Sequence, residues 1–486
     1  MKRIFIFLII ALFSDELLFS QNVKPFTVKG QLANLNKRDD VLYLSFLDEN
    51  YNPVIDSAII DQSGNFYLSA TNITKPVTAK LYSLRSTQLD IFIAPGYNLT
   101  LTGDDRSYKT IYLTRKIGGY GSKANQYFIK RDSVLTQLPV KDNFTKLSEP
   151  DFWDFINTRK RICDSVARVI FDHGDFADVN FTVFKKNVTG NINFERSYFI
   201  VCYADSHHFD YGKSVVFVKD NIDQNLQNNL YDDSYMDYSW YRSLMGFYYL
   251  YLEDLDCRKD SSMCNNKNDY NIKNLEKIAS VYKGKIKEQV LSNVMKSAIE
   301  YSRTPAELDS YKAAFPQYIL MINDEKKKAD LNKFFVNSDA DMQKIKPGMP
   351  APQFTAVDSL ERSYSLSDFM GKVVLVDLWA SWCGPCRGET PFLKKIEEKY
   401  KNDNRISFIS IAVNDKLPNW KAAMKQDKVT GLQLFDKSKT VVSGYFAYSI
   451  PKFVLIDKDG KVVTFDAPQP HKTADLEKML NAEIAK

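Results

Sequence analysis

The sequence lacks a long run of like charges, a strong net charge and, beyond its first residues, any apolar segment long enough to span a membrane. Its formal net charge is +5 over 486 residues, with acidic and basic side chains mixed throughout. Electrostatics therefore gives no basis for a nucleic-acid partner. Internal repeats and low-complexity tracts are absent, and the apolar fraction of 44% is ordinary. Length and composition together indicate a folded chain of about two to four domains.

The strongly apolar segment lies at the N-terminus. Lys2 and Arg3 precede the apolar run IFIFLIIALF, and small or polar residues follow it. This order predicts a signal peptide over residues 1–20, cut after Ser20, and hence export of the mature chain without a transmembrane domain. The run is short for a membrane-spanning helix, but an uncleaved membrane tether stays open as the alternative. No cysteine lies near the cut, so a lipid anchor is not predicted.

Export matters for the cysteines, because oxidising compartments preserve disulfides. The sequence has 6 cysteines, and the fifteen or so complete pairings that they allow cannot be separated by sequence. Four of them lie outside any close redox motif, and for these we expect a structural role or inert burial. They are Cys163, Cys202, Cys257 and Cys264.

Three regions of different character follow the signal peptide. Residues 24–115 contain short runs rich in Val, Ile, Tyr, Phe and Thr, separated by turn signals, and predict an antiparallel β-sandwich-like domain. Residues 120–337 carry apolar residues three or four apart and predict an α-helical region. A segment that is polar and then rich in proline marks a boundary near residue 340. We predict a structural or partner-binding role for the first region and helix packing for the aromatic-rich second one.

Residues 345–486 predict an α/β domain with a central mixed sheet. KVVLVDLWA and ISFISIAV are continuous apolar runs typical of strands buried on both faces. TPFLKKIEEKYK predicts a helix capped by Thr390 with Pro391 in its first turn. KFVLIDKDGKVVTF predicts a hairpin, and KTADLEKMLNAEIAK predicts a closing amphipathic helix.

Cys383 and Cys386 form the chain's only close cysteine pair. If the helix already begins here, Cys383 lies at its N-terminus, where the helix dipole favours a thiolate. Two cysteines three residues apart can close a disulfide, so Cys383 would attack a substrate disulfide and Cys386 would resolve the mixed disulfide. Zinc is the competing interpretation, but a structural site needs four ligands, and His471 is the only histidine of this region. Redox chemistry is therefore favoured, without a metal or other cofactor.

Two acidic residues flank the cysteine pair. Asp377 lies inside the apolar run VVLVDLW, where burial would raise its pKa and suit it to accept the proton of Cys386. The alternative is an acid at a strand end, exposed to water. Glu389 follows Cys386 by one helical turn and could also exchange protons with the pair, or simply be an acid placed favourably near a helix start.

The segment VLVDLWASWCGPCRGETP resembles the active-site segment of the thioredoxin superfamily. The preceding KPGMPAPQFTAVDSLERSYSLSDFMGK is similar to the lead-in of its TlpA/ResA-like branch. SIPKFVLIDKDGKVV resembles the later segment that carries a cis-proline. The likeness covers about residues 345–486, and the β-rich region resembles a domain fused before such domains in secreted bacterial proteins.

The resemblance implies a role for each matching position. Cys383 would be the nucleophile, Cys386 the resolving cysteine and Asp377 the buried acid, while Glu389 matches the glutamate of the ResA-like branch. This sequence has both the buried acid of classical thioredoxins and the glutamate of the ResA-like branch. The division of proton transfer between the two acids is therefore left open. The resemblance further implies contacts to the substrate from the residues beside the cysteines, which are Trp382, Gly384, Pro385, Ile450 and the cis-proline Pro451.

These observations predict a periplasmic thiol:disulfide oxidoreductase that reduces or isomerises the disulfides of protein substrates. Its electrons would come from an upstream thiol donor. The Gly-Pro pair between the cysteines matches thioredoxin, a reductant with a potential of about −270 mV. We expect such a protein to act in cell redox homeostasis and in cytochrome complex assembly. Two alternatives remain: a peroxiredoxin-like peroxidase, and a non-enzymatic partner-binding protein with a vestigial redox domain.

Overall fold

The computed structural model describes residues 24–34, 41–83, 88–138, 143–222, 230–260, 270–302, 305–343 and 346–486. The predicted signal peptide and Cys264 lie outside these ranges. The chain divides into two compact units, with the division between residues 263 and 264. Among the described residues, no helix is long and apolar enough to cross a membrane.

The first unit begins with two four-stranded sheets. One has the order β4-β1-β7-β8 and the other β3-β2-β5-β6. The two sheets share one core because buried and exposed residues alternate along their strands. In β4, for example, Phe66, Leu68 and Ala70 are buried in this core and the residues between them are exposed. The strands are β1 Phe26–Ala33, β2 Val41–Leu47, β3 Pro53–Ile59, β4 Asn65–Ala70, β5 Val77–Ser83, β6 Gln88–Ile93, β7 Asn98–Asp104 and β8 Lys116–Tyr120.

The pairing in these sheets is antiparallel except at one place. β1 pairs with β7 in parallel, so the first of the described strands lies between β4 and β7. The predicted sandwich-like domain is confirmed in its β content, and this parallel pair is the difference from a fully antiparallel arrangement.

Helices complete the first unit. Helix α3 begins where Ser148 accepts a hydrogen bond from the Asp151 N–H and Pro150 lies in the first turn. Its buried residues recur at helical spacing. The helices are α1 Tyr108–Thr114, α2 Ser122–Thr136, α3 Glu149–Asp172, α4 Val179–Ser206, α5 Tyr211–Asn221 and α6 Ser239–Lys259.

The second unit starts with further helices: α7 Tyr270–Val281, α8 Gly284–Glu300, α9 Pro305–Ala314, α10 Pro316–Ile319 and α11 Glu325–Gln343. The predicted helical region is therefore present, and it is divided between the two units. The predicted domain boundaries themselves stay predictions.

The second unit then forms a seven-stranded mixed sheet with the order β10-β9-β13-β12-β11-β14-β15. Central β11 pairs in parallel with β12 and antiparallel with β14. The predicted mixed sheet, hairpin and closing helix are all present. The strands are β9 Thr355–Val357, β10 Ser363–Ser365, β11 Val373–Trp379, β12 Ile406–Ala412, β13 Leu432–Phe435, β14 Lys452–Ile456 and β15 Val462–Thr464. The helices are α12 Gly384–Tyr400, α13 Leu417–Asp427, α14 Val441–Gly444 and α15 Thr473–Ile484.

One predicted helix start is wrong. Thr390 does not cap α12, because the helix begins at Gly384, and Pro391 lies inside it rather than in its first turn. The cysteine pair already supplies a start: the Cys383 sulfur accepts the N-terminal hydrogen bond, and Pro385 occupies the first turn. Pro391 then costs the helix one hydrogen bond without ending it.

Candidate active site

The cysteine pair lies at the junction between β11 and α12. The strand ends at Trp379, and four residues later Cys383 is the N-cap of the helix. The backbone N–H of Cys386 points at the Cys383 sulfur across 3.1 Å. The first turn of the helix therefore offers an N–H and the positive end of its dipole to this sulfur, which stabilises a thiolate when the pair is reduced.

Cys383 and Cys386 are joined by a disulfide. Both residues are buried, whereas Trp382 directly before them is 63% exposed. Gly384 and Pro385 fill the turn between the sulfurs, and both are exposed. The site thus presents an apolar ring and a short exposed turn beside a sheltered disulfide.

The predicted cis-proline segment lies beside Cys383. The Ile450–Pro451 peptide bond is cis, and the Ile450 carbonyl oxygen is 3.8 Å from the Cys383 sulfur. Sheet topology explains this proximity. Strand β14 runs antiparallel to β11, with Lys452 opposite Leu378, so β14 begins at the edge where β11 ends.

Asp377 is held inside the sheet by a neighbouring strand. It pairs with Ser410 in the parallel register of β11 and β12, and the Ser410 hydroxyl donates a 3.0 Å hydrogen bond to its carboxyl. Burial raises the pKa of Asp377 to about 7, against the lowering effect of this hydrogen bond, and Glu397 and Glu389 add to the rise. Asp377 and Cys386 both line one narrow cavity. Asp377 and Cys386 are therefore brought to one space, as the proton-transfer prediction requires.

Glu389 is engaged with a histidine from the other end of the domain. Its carboxylate accepts a 2.9 Å bond from the His471 backbone N–H and a 2.7 Å bond from the His471 Nδ1. The Glu389 side chain is only 12% exposed. The predicted acid is thus present near the helix start, with its orientation fixed by His471.

The loop before the cysteines is fastened by the loop after β12. Asp415 accepts hydrogen bonds from the Ser381 backbone N–H at 2.6 Å and from its hydroxyl at 2.7 Å. The Trp382 indole donates to the Asn414 carbonyl at 3.0 Å. These contacts fix the backbone that carries the cysteine pair.

Sequence reasoning missed the residues that support the predicted ones, because each comes from a distant segment. Ser410 could have been found from the strand register, since it lies opposite Asp377. The sequence marks His471 only as a possible metal ligand, not as a partner of Glu389. No local pattern marks Asp415 or Glu397 as neighbours of the site.

Comparison with known proteins gives the same chemistry for this domain. The Redoxin family model matches residues 346–481. A thiol-disulfide oxidoreductase ResA from Bacillus cereus is 32% identical over 124 residues, which are 26% of this chain and 71% of that protein. The chain belongs to the ResA family of thiol-disulfide oxidoreductases.

Further ResA proteins and solved structures are similar to part of this chain. ResA from Bacillus subtilis is 28% identical and matches 26% of this chain and 69% of its own length. The thioredoxin domain of a Bacteroides vulgatus thiol-disulfide oxidoreductase is 31% identical and covers 29% of this chain and 99% of its own, with a TM-score of 0.27. A thiol:disulfide interchange protein from Bacteroides sp. is 30% identical and covers 28% and 92%, with a TM-score of 0.26.

The ResA-family relationship makes this chain a thiol:disulfide oxidoreductase with a TlpA/ResA-like domain of the thioredoxin superfamily. It concerns the C-terminal domain that contains Cys383 and Cys386. The roles of the individual site residues stay predictions.

Proposed function

We propose that the protein acts outside the cytoplasm, in the periplasm, as a reductase or isomerase of protein disulfides. The position of the Cys383 sulfur carries the proposal: it caps a helix and lies 3.8 Å from the Ile450 carbonyl. A thiolate there is stabilised by the helix, and an extended peptide can bond the adjacent backbone. The charged-then-apolar N-terminus supports export.

The reaction begins with the reduced pair. The Cys383 thiolate attacks one sulfur of the substrate disulfide, forms a mixed disulfide and releases the first substrate thiolate. Cys386 then loses its proton and attacks the Cys383 sulfur. The mixed disulfide breaks, the second substrate thiolate leaves, and the Cys383–Cys386 disulfide forms. The substrate gains two electrons, and a donor dithiol later returns two electrons to the protein.

Asp377 is the proposed acceptor of the Cys386 proton. Both residues line the same cavity, and the pKa of Asp377, raised to about 7 by burial, matches an acid and base that works near neutral pH. Glu389, one helical turn after Cys386, is the second candidate for this proton.

The preceding β and helical regions are proposed to select or position the partner. The β sheets present a fold without an obvious reactive group, which suits a binding role. In this proposal the two regions bind the substrate protein and take no part in the disulfide exchange.

Two variants test the proposal. Cys383→Ser should abolish reduction of a protein disulfide such as that of insulin. Cys386→Ala should accumulate mixed disulfides with native substrates, which mass spectrometry identifies from a periplasmic extract. The trapped proteins would also decide whether cytochrome complex assembly is among its roles. Full reductase activity of Cys383→Ser would overturn the proposal, and rapid peroxide consumption by the reduced protein would favour the peroxidase instead.

A further inference from the structure

A second carboxyl group, Glu397, lies with Asp377 on the cavity behind the cysteine pair. The cavity is lined by two acids, Cys386, and polar residues of β12 and of the segment around β13. Its polar lining residues are Asp377, Glu397, Thr390, Lys394, Ser410, Thr430 and Gln433. A polar cavity of this kind joins the resolving cysteine to two groups that can carry a proton.

Glu397 is fixed by contacts from the opposite side of the cavity. The Thr430 hydroxyl donates a hydrogen bond to its carboxyl. Gly431 leaves room for that carboxyl, since a Cβ at this position would come within 2.4 Å of a Glu397 oxygen. Glu397 sits two helical turns beyond Glu389 on α12 and is partly exposed. It therefore touches both the cavity and the surface.

The cavity also suits a water molecule. Within the described part of the chain, the Trp379 indole nitrogen and the Gln433 side-chain oxygen are buried without a hydrogen-bond partner, and both residues line this cavity. One is a donor and the other an acceptor. The space holds about one water molecule, which those two atoms and the two carboxyls would bind.

We infer that Glu397 is a positioning residue that relays the proton of Asp377 to solvent after each resolving step. The inference rests on the proposed function. The sequence of transfers is balanced: Cys386 gives its proton to the Asp377 carboxylate, Asp377 passes a proton through water to the Glu397 carboxylate, and Glu397 releases one to solvent. Asp377 is then again a carboxylate when the donor dithiol has reduced the pair.

The charges around Asp377 support this role. Glu397 and Glu389 on α12 both raise its pKa, while Lys394 lines the cavity and lowers the pKa of Glu397. Burial is the larger influence on Glu397 and raises its pKa. The pKa of each carboxyl is therefore raised, which brings both groups closer to the range in which they can take up and release a proton near neutral pH.

Glu397→Gln tests the relay in the full-length protein. The glutamine keeps an oxygen for Thr430 but cannot carry the proton. We expect the resolving step, followed by stopped-flow decay of a preformed mixed disulfide at pH 6–7, to slow by about five- to tenfold. The pKa of Asp377, read from the ¹³C carboxyl resonance, should fall because a negative neighbour is lost. Glu398→Gln, an exposed residue one position away, is the matched control.

Failure of the proton relay and failure of the proposed function give different results. Glu397→Asp, which keeps a carboxyl, should retain the pH profile and a rate closer to that of the unmodified protein. An unchanged rate and an unchanged Asp377 titration in a folded Glu397→Gln variant would overturn the relay and leave the proposed function intact. Full activity of Cys383→Ser would instead overturn the proposed function itself.

Discussion

Glu389 accepts two hydrogen bonds from one residue, His471, that follows it 82 positions later in the chain. The backbone N–H and the ring Nδ1 reach different oxygens of the carboxylate, so the group is held in one orientation. A helix residue beside the cysteine pair is thereby tied to the segment before the last helix.

His471→Ala should slow disulfide reduction by about fivefold. The alanine removes the ring's hydrogen bond, which is worth about 1 kcal/mol, and lets Glu389 rotate away from its present position. His471→Gln, whose side chain can donate, should recover part of the rate. The measurement is insulin reduction across pH 5–9, with the exposed His173→Ala as control. Equal rates in all four proteins would show that the Glu389 orientation is irrelevant to turnover.

Asp377→Asn should stabilise the oxidised protein more at pH 8 than at pH 5. Burial raises the pKa of Asp377 from 3.8 to about 7. At a pH between these two values, the carboxyl is protonated in the folded state and ionised in the unfolded state. The free energy of unfolding therefore falls as pH rises through this window, by up to about 4 kcal/mol, and stays lower above it. Asparagine removes that loss.

Thermal unfolding at both pH values measures this effect. The midpoint difference between Asp377→Asn and the unmodified protein should grow from pH 5 to pH 8, while the exposed Asp459→Asn should show no such growth. A pH-independent difference would mean that Asp377 is not held protonated by burial.

Asp415→Ala should loosen the loop that carries the cysteine pair. The Ser381 backbone N–H and hydroxyl both lose their acceptor, at a cost of about 1–3 kcal/mol. Asp415→Asn keeps one accepting oxygen and should lose less. Calorimetry of the full chain gives the stability, and the rate of disulfide reduction by dithiothreitol gives the accessibility of the pair. Unchanged values in Asp415→Ala would mean that the loop is held by other contacts.

Cys163 and Cys202 should resist alkylation in the native protein. Both are free and buried, and burial raises the pKa of Cys163 to about 11 and of Cys202 to about 12, so little thiolate exists at pH 8. Iodoacetamide at pH 8 followed by peptide mass spectrometry should leave both unmodified, and both should react in urea. Cys257 is disulfide-bonded and should stay unmodified in either case. Native labelling of Cys163 would contradict its inert burial.

The elements that could be predicted from sequence are those with a local signal. Continuous apolar runs identified β11 and β12, alternation identified the N-terminal strands, and the cysteine spacing identified the redox pair. Asp377 was recognised because a charged residue inside an apolar strand is conspicuous. The sequence predicts the start of α12 wrongly at Thr390, since both Thr390 and Cys383 carry a side chain that can cap a helix, and only the tertiary structure places the start at Cys383.

The rest depends on pairing between distant segments. Ser410 meets Asp377 through strand register, and His471 meets Glu389 because the last helix packs on the same side of the sheet as α12. The parallel pairing of β1 with β7 has no sequence signature, because strand periodicity is the same in either direction. Chain order alone favours neighbours that form hairpins.

That parallel pair has a consequence for how the first unit is completed. β1 is an interior strand, hydrogen-bonded to β4 on one side and to β7 on the other, although it is the earliest strand that the structure describes. The second partner, β7, ends at Asp104. The hydrogen bonds between β1 and β7 can therefore form only after the chain up to Asp104 has been synthesised. Contacts so far apart in sequence form slowly. Removing residues up to Ala33 would take out a middle strand and expose two inner edges, so a shortened protein should aggregate rather than simply lose its first residues.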